Sequence, residues 1–148
     1  MKRLLLLIPV LVVLVGCGGG KGSPRPTLSR SVHLDDVPLR LDVTALHRTG
    51  DVAALDLRLV NRAPRGGEAF DIDDTVSREG NYDLGGVLLV DSGTGHELDP
   101  LEDDADLAFT QVAGGGTQSL RVAFPAPSGG AVDVLVPHFG LFRDVPVH

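Results

Sequence analysis

The 148-residue chain has no tryptophan, one methionine, one tyrosine and one cysteine. With Cys17 its only thiol, the chain cannot close a disulfide on itself, so the fold must stand on packing alone. Aromatic residues make up 4% of the chain, which excludes aromatic cages for cationic ligands. The single methionine excludes the thioether clusters that select soft copper. Histidines 33, 47, 96, 138 and 148 are scattered, and no pair has the His-x-x-x-His spacing of a zinc site. They read as surface residues, with a constellation assembled only by folding as the alternative. There is no Gly-x-Ser-x-Gly elbow and no glycine-rich nucleotide loop. No convincing helical periodicity is present either.

What is there begins at the amino end. Met1-Lys2-Arg3 is followed by an apolar run over residues 4–15, then Gly16 and Cys17. At 1.5 Å rise per residue the run covers roughly 18 Å, well short of the roughly 30 Å hydrocarbon core of a bilayer. Lengthening it as a helix would recruit Gly16, Gly18, Gly19 and Gly20, all poor helix formers. A basic start, a short apolar segment and small residues before the cut are the marks of a secretory signal. The ending Leu14-Val15-Gly16-Cys17 resembles the bacterial lipobox. That resemblance implies removal of residues 1–16 as a lipoprotein signal peptide and acylation of Cys17, placing the protein at the cell membrane on its extracytoplasmic face. Gly18 rather than aspartate follows the cysteine, so no inner-membrane retention signal is implied.

Charge narrows the partners. The chain carries 13 basic and 20 acidic residues. Loss of Lys2 and Arg3 with the signal leaves 11 against 20, a net charge of −9. Such a surface argues against nucleic acid and against peripheral binding to anionic lipid. Residues 17–32 read as the lipidated cysteine and a flexible tether rich in glycine, with Pro24 and Pro26 stiffening its later part.

From residue 33 to 148 the apolar pattern repeats every second residue, the period of a strand with one buried face. Leu39, Leu41, Val43 and Ala45 alternate with polar residues. Thr49-Gly50-Asp51 makes a turn, and Leu55, Leu57 and Leu59 alternate in turn. This predicts an antiparallel hairpin. Phe70 and Ile72 suggest a short strand, and Gly86-Val87-Leu88-Leu89-Val90 a strand buried on both faces. Further strands are expected over Leu107 to Val112, through Leu120, Val122 and Phe124, through Val132, Val134 and Val136, and from Phe142 to Val147. Short strands with turn signals every 8–12 residues give an all-β fold, an immunoglobulin-like antiparallel β-sandwich of about seven to eight strands.

Several of these segments together resemble a family of exported actinobacterial lipoproteins with a telokin-like, immunoglobulin-like β-sandwich domain. The segments are Leu41-Asp42-Val43-Thr44, Leu57-Arg58-Leu59-Val60-Asn61, Gly86-Val87-Leu88-Leu89-Val90-Asp91 with Gly95 and Pro100-Leu101, Phe124-Pro125-Ala126-Pro127, Val132-Asp133-Val134, Val136-Pro137 and Asp144-Val145-Pro146-Val147. The resemblance covers most of residues 39–148 and rests on structural positions. It implies a non-enzymatic module, in some relatives fused to a peptidoglycan-binding domain. Many relatives have a cysteine pair where this chain has Leu107-Ala108-Phe109-Thr110, and wall binding is not carried over.

Three features invite a sharper function. Val90-Asp91-Ser92-Gly93-Thr94 resembles the active-site loop of aspartic proteases, in which two carboxylates share a proton to activate water. One copy per chain would require a homodimer, and the competing reading is a hairpin turn using Asp, Ser and Gly for local hydrogen bonds. Two acidic groups, Asp71, Asp73 and Asp74 in one loop and Glu102, Asp103, Asp104 and Asp106 in another, offer oxygen ligands of the kind calcium takes. Neither has the spacing of the twelve-residue calcium loop, and solvated acidic loops are the usual outcome. Tyr82, the one tyrosine, reads as a packing residue. The expectation is therefore an acylated binding or interaction module at the cell envelope with no cofactor and no metal. Its anchor is Cys17, and its contact surface for an unidentified protein or envelope partner is the two acidic loops. The alternatives are a dimeric aspartic protease built on Asp91 or a calcium-dependent adhesion module.

Overall fold

The computed structural model describes residues 28–77, 85–101 and 110–148. The signal peptide, Cys17, Tyr82 and Glu102, Asp103, Asp104 and Asp106 lie outside the described residues, as do residues 107–109 of the strand expected from Leu107 to Val112.

The chain folds as a two-sheet antiparallel β-sandwich. The first sheet holds β1 (Leu28–Leu34), β2 (Val37–Thr49), β3 (Val52–Asn61) and β8 (Thr117–Pro125), in the order β1-β2-β3-β8. The second holds β5 (Leu88–Asp91), β6 (Glu97–Leu98), β9 (Ala131–Val136) and β10 (Gly140–Pro146), in the order β10-β9-β5-β6. A small ribbon pairs β4 (Phe70–Asp71) with β7 (Gln111–Val112). One helical turn, α1 (Asp73–Val76), follows β4. The architecture is immunoglobulin-like, but the first sheet is a meander of three consecutive strands, so the strand order is its own.

The inner faces supply one continuous core. Leu39, Leu41, Val43, Leu55, Leu57, Leu59, Val122 and Phe124 from the first sheet meet Leu89, Val132, Val134, Phe142 and Val145 from the second. Each fully buried side chain of this size contributes about 1.5–3 kcal/mol by leaving water. The predicted hairpin is present, closed by Thr49 opposite Val52, with Gly50 at φ +62 in the turn.

Local chemistry explains where the chain departs from simple alternation. β1 begins at Leu28, so the first sheet takes up residues that composition alone assigns to the tether. It joins β2 through Asp35 and Asp36, both at positive φ, in a two-residue turn of the mirror-image type. Within β2 the register shifts between Val43 and Ala45, leaving Thr44 as an extra residue whose hydroxyl donates to the Asp56 carbonyl at 2.9 Å. That bulge moves the inward phase from odd to even positions. Leu46 is therefore fully buried, and Ala45, expected inside, is only half-buried. β5 is shorter than the expected run, and its burial alternates: Leu89 is enclosed while Leu88 and Val90 are half-buried. The tripeptide Asp-Val-Pro occurs at 36–38 and again at 144–146; Asp36 and Asp144 both sit at positive φ, and Val37 and Val145 beside them are buried.

Two polar devices fix the edges. Arg30 occupies an inward-phase position on the edge strand β1, where it cannot join the core. Its guanidinium reaches across to the second sheet, donating to Phe139 O at 3.3 Å and Leu141 O at 2.6 Å, and lies 5.2 Å from the Phe142 ring centre. It clasps the two sheets at their open side. At the other end of β3, Asn61 is fully buried. Its carboxamide donates to Glu68 O (2.8 Å) and Val112 O (2.9 Å) and accepts from Ala63 N (3.0 Å). Its backbone bonds Gly115 and Gly116. One residue thus ties the loop after β3 to β7 through its side chain and to the loop before β8 through its backbone.

Candidate functional site

Asp91 ends β5 in the inward phase, opposite Val132 on β9, and is 3% exposed. One carboxylate oxygen accepts from Gly93 N at 2.8 Å. The other accepts from both the amide (2.7 Å) and the hydroxyl (2.6 Å) of Ser128. Gly95 N donates to the Asp91 carbonyl, closing the turn. The Ser128 hydroxyl and amide, with the Gly93 amide behind them, hold the Asp91 carboxyl down to about 2, outweighing the opposing effect of burial. A carboxylate with both oxygens taken by hydrogen-bond donors is a brace between the β5–β6 turn and the β8–β9 loop. The hairpin-turn reading of Val90-Asp91-Ser92-Gly93-Thr94 therefore matches what this side chain touches.

The acidic groups are placed in part. Asp71 lies in β4 opposite Gln111, half-buried. Asp73 opens α1, its carbonyl accepting from Ser77 N at 3.1 Å. Asp74 belongs to the same turn, with its side chain outside the described residues, and the second acidic group, Glu102, Asp103, Asp104 and Asp106, lies wholly outside them. Among the described residues no group of three or more His, Cys, Asp or Glu is arranged to hold a metal ion. No described helix is long and apolar enough to cross a membrane.

Sequence reasoning missed the outer face of the first sheet. Here the polar residues of the alternating strands meet in cross-strand rows. Asp42 in β2 lies between Ser29 of β1 and Arg58 of β3. It accepts from the Ser29 hydroxyl at 2.7 Å and from Arg58 Nε and Nη2 at 3.0 and 2.7 Å. Arg40 Nη2 donates to it at 3.2 Å. Arg40 Nε stands 3.0 Å from the other Asp42 oxygen as an ion pair without hydrogen-bond alignment. Burial alone would raise the Asp42 carboxyl, yet the hydrogen bonds from Ser29 and Arg58 and the charges of Arg40 and Arg58 together bring it below its ordinary value. In the next row Arg121 grips Asp56 with two bonds of 2.6 and 3.0 Å, which raises the guanidinium further. Between these rows lies a shallow concavity of about 540 Å³ lined by Thr44, Asp56, Arg58, Ser119 and Arg121. Its charges are already matched in pairs. The signal in the sequence was the out-of-phase series Arg40, Asp42, Asp56, Arg58 and Arg121, legible only once strand register is known.

The histidines divide. His33 lies on β1, His96 in the turn before β6 and His138 in the turn between β9 and β10. His47 and His148, remote in sequence, have ring centres 6.0 Å apart.

Comparison with protein-family models, with curated proteins and with solved structures gave no match to this chain.

Proposed function

We propose that the protein is an exported lipoprotein, anchored in the membrane through acylated Cys17, whose β-sandwich is a non-enzymatic binding module at the cell envelope. The observation that carries the first half is the series Met1-Lys2-Arg3, the short apolar run and Leu14-Val15-Gly16-Cys17. The second half is supported by the state of Asp91, the one residue with a motif-level claim to catalysis. Its carboxylate accepts from Ser128 and Gly93, and these bonds hold it ionised as a brace between two loops. The partner surface we favour is the pair of acidic loops containing Asp71, Asp73 and Asp74 and Glu102, Asp103, Asp104 and Asp106, for which a basic protein or envelope component is the matching chemistry.

Two experiments bear on this. Labelled palmitate should enter the wild-type chain and not C17A, and the wild type should partition into the detergent phase; a soluble, unlabelled wild-type chain refutes the anchor. Crosslinking in the native cells should then capture a basic partner whose yield falls with salt. It should fall further when the two acidic loops are neutralised to Asn and Gln. Capture indifferent to both treatments refutes the loop surface.

A further inference from the structure

We infer that His47 and His148 form a two-imidazole chelate for a divalent transition-metal ion, Cu²⁺ or Zn²⁺, at the seam between the two sheets. β1 covers β2 only as far as Val43. Beyond that point, the edge of β2 is taken by the residues that follow β10. His148 N donates to Leu46 O at 3.0 Å, and Arg48 N donates to His148 O at 2.8 Å. These two bonds straddle His47 and seat His148 directly beside it, in the manner of a parallel bridge, so that both side chains leave the same face of the sheet. Val147 N is held in turn by Gly130 O at 3.0 Å, so the backbone that carries the second imidazole is fixed.

The rings meet the needs of a metal. Their centres are 6.0 Å apart with planes at 45°. Two imidazoles sharing a zinc ion at 2.0–2.1 Å per nitrogen have centres about 5 Å apart, so rotation of the rings closes the gap. Both histidines are exposed, and the row continues from His47 to Ala54 and Ala123, small side chains that leave room above the sheet. Imidazole nitrogen suits copper, zinc and nickel, with copper bound most tightly of the three. Among the described residues no third ligand completes the set, so the remaining positions fall to water or to a group on another molecule. Because residues 147 and 148 continue β10 of the second sheet while His47 belongs to the first, a bound ion would lock one sheet to the other. This inference is independent of the proposed binding role.

The test uses the full chain carrying C17A, which removes the competing thiol, kept in detergent. Cu²⁺ or Zn²⁺ alone is titrated by calorimetry, and Cu²⁺ is followed by electron paramagnetic resonance. One equivalent should bind, with two imidazole nitrogens on copper, and the melting temperature should rise. H47A and H148A should each weaken binding about tenfold or more, as expected when a chelate is reduced to one arm. The double variant should lose the remaining arm and bind no more tightly than the weaker single one, and H33A should bind as the parent does. The conservative variants H47Q and H148Q guard against a misfolded alanine form, since each keeps a polar side chain of similar size. Wild-type affinity in H47A and H148A, a one-nitrogen copper spectrum in the parent, or loss of binding in H33A would each overturn the proposal.

Discussion

Replacing Asn61 tests whether a single buried carboxamide holds one end of the sandwich together. The side chain is fully enclosed and makes three hydrogen bonds, to Glu68 O, Val112 O and Ala63 N. N61A removes all three at once and leaves those backbone groups without partners. Each buried group left unsatisfied costs about 1–3 kcal/mol. The Glu68 carbonyl, nearest to water, stands at the low end, so the total comes to about 3–7 kcal/mol. That is a large share of the roughly 5–15 kcal/mol by which a domain is stable. N61D is the sharper variant. It keeps the shape but points one carboxylate oxygen at the carbonyls of both Glu68 and Val112, so it should be worse than N61A at neutral pH. The introduced carboxyl has its folded-state pKa raised above the unfolded value of about 3.9, so its ionisation penalty is absent below that value and grows as pH rises through it. N61D should therefore recover toward N61A, or beyond it, near pH 3.5. With no tryptophan, urea denaturation followed by far-ultraviolet circular dichroism is the suitable assay. An N61A midpoint within about 1 kcal/mol of wild type, or N61D matching N61A at pH 7, would refute the reasoning.

Other perturbations follow from the same contacts. The folded-state value of Asp91 is depressed to about 2 from an ordinary 3.8, so its ionised form adds stability that is fully present above about pH 4 and is lost as pH falls toward 2; D91N should flatten that part of the acid-denaturation curve and lower the melting temperature at neutral pH. D42A should cost about 2 kcal/mol in urea denaturation by stranding Arg40 and Arg58, an amount kept modest because both guanidinium groups are partly exposed to water. R30M should cost about 1 kcal/mol and speed amide exchange at Phe139 to Leu141, since it removes the bonds to two carbonyls across the sandwich edge.

Most strands were legible because a period of two survives wherever one face is buried. Leu55, Leu57 and Leu59, and Val132, Val134 and Val136, carry no exception to it, and both segments are strands as expected. β1 was hidden because Arg30 breaks the apolar series of Leu28, Val32 and Leu34, and because Asp35-Asp36 lacks the glycine that advertises a two-residue turn. The Thr44 bulge was hidden because an inserted residue leaves no mark in composition; only the switch from Val43 to Leu46 as the next buried position betrays it. Site geometry was least legible. Asp91 and Ser128 are far apart in sequence, as are His47 and His148, and in each case a turn or a strand end brings them together. The Asp-Ser-Gly string was visible, but the hydroxyl and amides that occupy its carboxylate were not.

The early start of β1 also sets how far the domain can stray. Ten residues, 18–27, separate Cys17 from Leu28, and even fully stretched the connection spans no more than about 40 Å. With Cys17 acylated, the sandwich would float as a short-leashed buoy just above the headgroups, its first strand nearest the mooring. Under that anchoring, a partner would have to come within this reach of the membrane.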